Sequence, residues 1–236
     1  MSIKKWLKRL PIPLTKNHKY DLQAKKVLQK VLTNNSNCLD IGCHEGEFID
    51  LFLKYAPKGQ HIGFEPLPNF YKKLSQKYPA NCHFHNIALS DSKGESSFNY
   101  VISNPAYSGL QKRNYDKVGE KDTLITVQKD QLDTLLPPNY RPDFIKIDVE
   151  GGEYQVLKGA IQTIKKHQPV IIFEHGLGAA DVYGTTPEMM YDLLNEQCGM
   201  QVSLMEYWLK GKPAFSKQAF CQQFYENLNY YYIAYS

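Results

Sequence analysis

The chain has 236 residues, 42% of them hydrophobic and 22% charged, with 15 glycines and 13 prolines. These values exclude disordered, collagen-like and fibrous classes, and a chain of this length buries enough surface to fold without a disulfide or a structural metal. The formal charge of +4 is concentrated at one end: residues 1–20 hold Lys4, Lys5, Lys8, Arg9, Lys16 and Lys19 and no acid, so the remainder is slightly acidic. That remainder lacks the basic face needed for phosphate contacts, and no nucleic-acid partner is expected.

Ile3, Trp6, Leu7 and Leu10 fall at helical spacing opposite Lys4, Lys5, Lys8 and Arg9, until Pro11 and Pro13 end the pattern. Residues 1–16 therefore read either as a surface helix docked on its own domain or as a peripheral membrane contact. No run is apolar enough for a signal peptide, and none reaches the ~18 residues needed to span a bilayer. Cys38, Cys43, Cys82, Cys198 and Cys221 include no C-x-x-C pair and are odd in number, which reads as reduced thiols. The expected location is cytoplasmic, with the basic segment able to rest on the inner membrane surface.

From residue 21 the pattern alternates. Asp21–Leu32 reads as helix, Asn37–Ile41 as strand, Gly46–Tyr55 as helix, His61–Glu65 as strand, Pro68–Tyr78 as helix and Cys82–Leu89 as strand. This rhythm predicts a parallel sheet with right-handed crossovers. Residues 91–128 interrupt it with Gly, Ser and Asn, and the β-rich pieces Ser97–Ile102 and Thr123–Gln128 predict an inserted hairpin. Asp143–Val149 then reads as strand, Glu153–His167 as helix, Val170–His175 as strand and Pro187–Cys198 as helix. Met200–Tyr207 and Asn229–Tyr235 read as final strands across an irregular loop, and the tyrosines at 230, 231, 232 and 235 read as strand packing. The expectation is an α/β fold with a seven-stranded, mostly parallel sheet ending in an antiparallel hairpin. Residues 1–36 form a lead-in, and 37–236 form one domain with a β insertion.

The strongest local signal is Leu39-Asp40-Ile41-Gly42-Cys43-His44-Glu45-Gly46, where a strand gives way to a helix. Gly42 and Gly46 permit a tight turn and close backbone approach to a ligand beyond the carboxyl ends of the strands. Glu65 ends the next strand, where a carboxylate accepts both hydroxyls of a ribose. A dinucleotide site needs G-x-G-x-x-G so that pyrophosphate reaches the helix N-terminus, whereas here Cys43 and His44 fill that region. The pattern favours S-adenosylmethionine, which has no phosphate and whose α-ammonium Asp40 can meet, over NAD.

The segment Asp143-Phe144-Ile145-Lys146-Ile147-Asp148-Val149-Glu150 places Lys146, Asp148 and Glu150 on one side at period two. Polar residues in that position on a central strand point to function. Val170-Ile171-Ile172-Phe173-Glu174-His175 brings a carboxylate and an imidazole to the same rim. With Asp148 these form either a general-base group or a donor set for a divalent metal such as Mg²⁺. Asp148 is the expected base or metal ligand, with Glu174 and His175 as helpers.

In order and spacing the motifs resemble the FkbM-type S-adenosylmethionine-dependent methyltransferases. They are Leu39-Asp40-Ile41-Gly42-x-His44-x-Gly46-x-Phe48, Phe64-Glu65-Pro66-x-Pro68, Ala88-Leu89-Ser90-Asp91-x-x-Gly94, Ser108-Gly109-Leu110, and Phe144-Ile145-Lys146-Ile147-Asp148-Val149-Glu150-Gly151-x-Glu153 followed by Val156-Leu157-x-Gly159-Ala160. The resemblance runs from about Cys38 to Glu174. It implies a class I methyltransferase-like Rossmann fold and O-methylation of a hydroxyl on a sugar, glycan or natural product. It also implies that Asp40, Gly42, His44, Gly46, Phe48, Glu65, Pro66 and Ala88 line the cofactor with Asp91 nearby, and that Asp148 and Glu150 face the transferred methyl. Cys43 stands where the family commonly has Ala. Two other readings stay open: a non-catalytic cofactor-binding scaffold held at a membrane or partner, and an NAD(P)-dependent oxidoreductase.

Overall fold

A computed structural model describes residues 15–115 and 119–236 of the chain. The basic segment built on Ile3, Trp6, Leu7 and Leu10 lies outside the described residues. The first helix, α1 (Lys16–Val31), is capped by Thr15, whose hydroxyl accepts from the His18 amide at 3.1 Å. It is followed by β1 (Cys38–Ile41), α2 (Glu47–Tyr55), β2 (His61–Phe64), α3 (Pro68–Lys77) and β3 (Cys82–His85). Then come β4 (Ala88–Leu89), β5 (Gly94–Val101), β6 (Asp122–Asp130), the short α4 (Leu132–Leu135) and β7 (Phe144–Ile147). The chain ends with α5 (Glu153–Lys158), α6 (Ile161–His167), β8 (Val170–Glu174), α7 (Pro187–Tyr191), β9 (Gln201–Ser203), α8 (Met205–Leu209), α9 (Lys217–Tyr225) and β10 (Tyr231–Tyr235).

Seven strands form the main sheet in the order β3-β2-β1-β7-β8-β10-β9, with β10 antiparallel to both β8 and β9. Alternation along each strand decides what faces each layer. Leu39, Ile41, Ile145, Ile147, Ile171, Phe173 and Tyr232 enter one core. Cys38, Phe144, Ile172 and Ile233 enter the other, packed under Val27 and Leu28 of α1 and Ile49 and Phe52 of α2. Full burial of each such side chain stabilises by about 1.5–3 kcal/mol. On that second face the apolar run stops toward the carboxyl ends, where Asp40, Lys146, Glu174 and Tyr231 continue the same rows.

The inserted hairpin exists as β5 paired antiparallel with β6, and β4 joins it in parallel to make a separate three-stranded sheet. The expected strand Cys82–Leu89 is therefore two. Asn86 Nδ2 donates to the carbonyls of Glu65 and Pro66, each at 2.9 Å, and this turn parts β3 from β4.

Two further expectations are corrected. The helix expected over Glu153–His167 breaks at Gly159–Ala160, and the Asp133 carboxylate receives the amides of Gln162 and Thr163 at the restart. The strand expected over Met200–Tyr207 is only three residues long, and the supposed loop after it holds α8 and α9. The α9 signal was present: Ser216 caps it, and Phe220, Cys221 and Phe224 bury one face. The last two strands thus pair antiparallel, but two helices connect them.

Gly159 is where the broken helix meets the β4–β5 turn, since a Cβ there would lie 2.1 Å from the Ser90 carbonyl oxygen. Gly159→Ala should lower unfolding free energy by about 1–3 kcal/mol, as overpacking against backbone does. Urea denaturation followed by far-UV circular dichroism measures it.

Candidate active site

One cleft of about 380 Å³ opens at the carboxyl ends of β1, β2, β7 and β8, a size typical of small-molecule sites. One wall is the loop after β1. Gly42 has φ +80° and passes so close to the end of β7 that a Cβ would lie 1.9 Å from the Asp148 carbonyl oxygen, so only glycine fits. His44 also takes a left-handed backbone, φ 47°, which turns its amide onto Glu65 Oε2 at 2.8 Å. Its ring packs on Phe70 with centroids 4.5 Å apart. The other Glu65 oxygen accepts from the Leu67 amide at 2.9 Å. Burial pushes the Glu65 carboxyl up to about 7, opposed by these two N–H donors.

Asp40 and Lys146 are register partners on β1 and β7, both buried, with Nζ 3.2 Å from Oδ1. Lys146 Nζ also donates to the carbonyls of Gly42 at 2.6 Å and Ile41 at 3.4 Å. Burial raises the Asp40 carboxyl against the pull of Lys146, while the carboxylates of Asp40 and Asp148 hold the ammonium above its usual range despite burial. Asp40 Oδ2 has no hydrogen-bond partner among the described residues. Asp148 lies 4.0 Å from Lys146 and keeps a third of its side chain exposed, so it opens to the cleft.

Beyond Asp148 the backbone turns sharply. Glu150 is left-handed, φ 59°, instead of continuing the period-two row, and its carboxylate bonds Arg113 of the inserted segment. Such a backbone in a non-glycine residue marks a site held by its surroundings. Arg113 in turn lies over the Tyr107 ring, 5.0 Å from its centroid. Glu153 anchors the turn by accepting from the amides of Val149 and Gly151 at 2.9 and 3.2 Å.

Of the residues expected from the sequence, Asp40, Gly42, His44, Phe48, Glu65, Pro66, Ala88, Lys146, Asp148, Glu150 and Glu174 line the cleft together. Gly46 does not; its carbonyl accepts from Tyr78 Oη at 2.8 Å. Asp91 does not line it either, being drawn to Lys158 at 3.0 Å.

His175 is the clearest correction. One residue past Glu174, it points to the opposite face, stacked on Phe224 and Phe220 with centroids 4.7 and 6.1 Å away. The sequence missed this because a one-residue step along a strand reverses the side chain's face. Asp148, Glu174 and His175 therefore do not converge as a metal set, and no group of three or more His, Cys, Asp or Glu among the described residues is placed to hold a metal ion. Residues that no motif signalled complete the cleft: Tyr20 and Asp21 of α1, Tyr107 and Tyr183, and Tyr230 and Tyr231. Of the terminal tyrosines only Tyr232 is fully buried as strand packing.

This strand order, with the antiparallel strand inserted beside the edge and a carboxylate-lined cleft where β1 and β7 meet, is the class I methyltransferase-like Rossmann fold. The family model described as methyltransferase FkbM domain matches residues 40–202, and the chain belongs to that family. A curated relative, methyltransferase sdnD of Sordaria araneosa, is 27% identical over 159 residues, 54% of this chain and 61% of the relative; the match thus spans about three fifths of that protein. Among solved structures, methyltransferase FkbM from Methylobacillus flagellatus KT is similar in fold with a TM-score of 0.53 and 13% identity, covering 92% of this chain and 52% of that one. No helix among the described residues is long and apolar enough to cross a membrane.

His175 has neither ring nitrogen hydrogen-bonded, and burial lowers its basicity from 6.5 to about 3. The unfolded chain takes up this proton near pH 6.5 and the folded chain does not, so the site's contribution is intact above 6.5 and is lost as pH falls toward 3. His175→Leu should stay within about 1 kcal/mol of wild type at pH 7.5. It should also lose less stability on going to pH 5, as urea unfolding at the two pH values would report.

Proposed function

We propose that the chain is an S-adenosylmethionine-dependent methyltransferase that O-methylates a hydroxyl of a sugar, glycan or natural product, with residues 37–236 acting as one catalytic unit. The observation that carries this reading is the pair of carboxylates at the ends of β1 and β2. Glu65 is oriented by two backbone N–H donors and retains lone pairs for a ribose diol, and Asp40 presents a buried oxygen without a partner, which suits an ammonium. The donor set fits the nucleoside, and the loop after β1 lacks the glycine spacing that a pyrophosphate needs. Five free, buried cysteines support a reducing, cytoplasmic setting.

When bound, S-adenosylmethionine supplies a methyl on sulfonium, a good leaving group. The protein's task is to align the acceptor and remove its proton. In this reading Glu65 holds the ribose and Asp40 meets the amino-acid end. Phe48, Pro66 and Ala88 shape the walls. Asp148, open to the cleft, takes the hydroxyl proton. Lys146 positions Asp40 and Asp148. Glu150, held by Arg113, closes the side toward the insertion, and Pro105–Tyr107 shields the cleft from water.

Calorimetric titration with S-adenosylhomocysteine tests the cofactor half. Micromolar binding is expected, and a folded sample that binds none would sink the reading. Glu65→Gln should weaken binding by about tenfold or more, the worth of a charged hydrogen bond. Because the ionised form of Glu65 is the better acceptor and its carboxyl sits at about 7, wild-type affinity should strengthen as pH rises from 6 to 8 and the Gln variant should lack that rise. Asp148→Asn should spare nucleoside binding and cut methyl transfer by about 10²–10⁴-fold in an acceptor screen.

A further inference from the structure

The lining of the cleft carries eight carboxylates, at residues 21, 40, 45, 47, 65, 148, 150 and 174, and one lysine, Lys146. Lys146 is consumed at the cofactor end by Asp40 and two backbone carbonyls. Arg113 answers Glu150. Glu174, half-buried at the end of β8, lines the cleft with Asp148 and has no hydrogen-bond or ion-pair partner among the described residues. A carboxylate that faces a cleft among other carboxylates and lacks a mate favours a cationic ligand there.

We propose that the acceptor end of the cleft binds a protonated amine, carried by the acceptor beside the hydroxyl to be methylated, on Glu174 and Asp148 within a wall of tyrosines. The proposal rests on the methyltransferase reading above and narrows its acceptor to a cationic one.

Three features independent of the carboxylates support it. Tyr231 is the cross-strand partner of Glu174, so both project from the same face of the sheet. Tyr20 stands against it across α1, with ring centroids 5.7 Å from Tyr231 and 5.0 Å from Tyr230. Electron-rich ring faces around a desolvated site attract ammonium groups. The chain already uses this attraction on itself: Lys16 Nζ lies 4.8 Å from the centroid of the Tyr230 ring.

Charge fixes how such a ligand would register. Burial, then Asp148, Glu150 and Glu153, push the Glu174 carboxyl well above its usual range, and Arg113 opposes them. Tyr20 and Tyr231 face the same group and stay neutral, since burial raises both phenols. An arriving ammonium opposes that upward push and favours the ionised carboxylate, so its binding draws a proton off Glu174. A neutral hydroxyl acceptor lacks that effect.

The test uses the full chain saturated with S-adenosylhomocysteine, titrated with matched pairs that differ only in charge: glucosamine against N-acetylglucosamine, and 2-aminoethanol against N-acetyl-2-aminoethanol. Each titration is run in two buffers of different ionisation heat. The expected result is that the amine of at least one pair binds about tenfold tighter than its acetylated partner with release of a proton. Glu174→Gln should abolish both the preference and the proton release while still binding S-adenosylhomocysteine. Equal or weaker binding of the amine in every pair, or an unchanged preference in Glu174→Gln, overturns the proposal. So does magnesium chloride alone reproducing the proton release in a Glu174-dependent way, since the missing mate would then be a metal ion. Failure of the nucleoside itself to bind would instead strike the underlying methyltransferase reading.

Discussion

Lys146 lies at the seam between β1 and β7 with its ammonium buried, and everything around the cleft is arranged to match that charge. The ammonium pairs with the Asp40 carboxylate and donates to the carbonyls of Gly42 and Ile41. A buried ammonium left unpaired would cost several kcal/mol, so the loop after β1 must stay where its carbonyls can answer it. That requirement and the closeness of Gly42 to the Asp148 carbonyl reinforce one another. The first tethers the loop to β7, and the second leaves no side chain between them. With the loop fixed, the His44 amide can point at Glu65, and the two halves of the cleft inherit their geometry from one ion.

Much of this was legible because strand patterning is a two-residue code. Cys38, Phe144 and Ile172 face one core, so Asp40, Lys146 and Glu174, two residues further on, had to lie on that same face at the strand ends. Glu65 and the loop around Gly42 were readable because a ligand beyond a parallel sheet meets only those ends. The same code placed His175 on the wrong side once it was treated as a neighbour of Glu174 and not as its alternate. The turn at Glu150 escaped for a different reason: a left-handed backbone has no marker in a non-glycine residue.

What sequence could not show were contacts made across long separations. Arg113 reaches Glu150 because the segment joining β5 to β6 meets the turn after β7, and Tyr20 meets Tyr231 only because β10 enters the sheet next to β8. Neither pairing leaves a local pattern. The helices α8 and α9 were missed because Met205–Leu209 and Lys217–Tyr225 are short amphipathic pieces whose helicity depends on tertiary packing more than on propensity. The consequence is a division along the chain. The part of the cleft around the loop after β1 is made of consecutive motif residues, and the rest is assembled from α1, the insertion and the last strand.

The small sheet built by the insertion leaves and returns to the body at adjoining points, because Ala88 and Leu89 at its entry pair with Lys129 and Asp130 at its exit. A segment whose two ends already touch can change in length or sequence with little entropic penalty to the body, since the closing contact is formed without it. The main sheet is thereby decoupled from the inserted one. Proteins built on one scaffold can exchange the insertion while the main sheet and the buried lysine remain untouched.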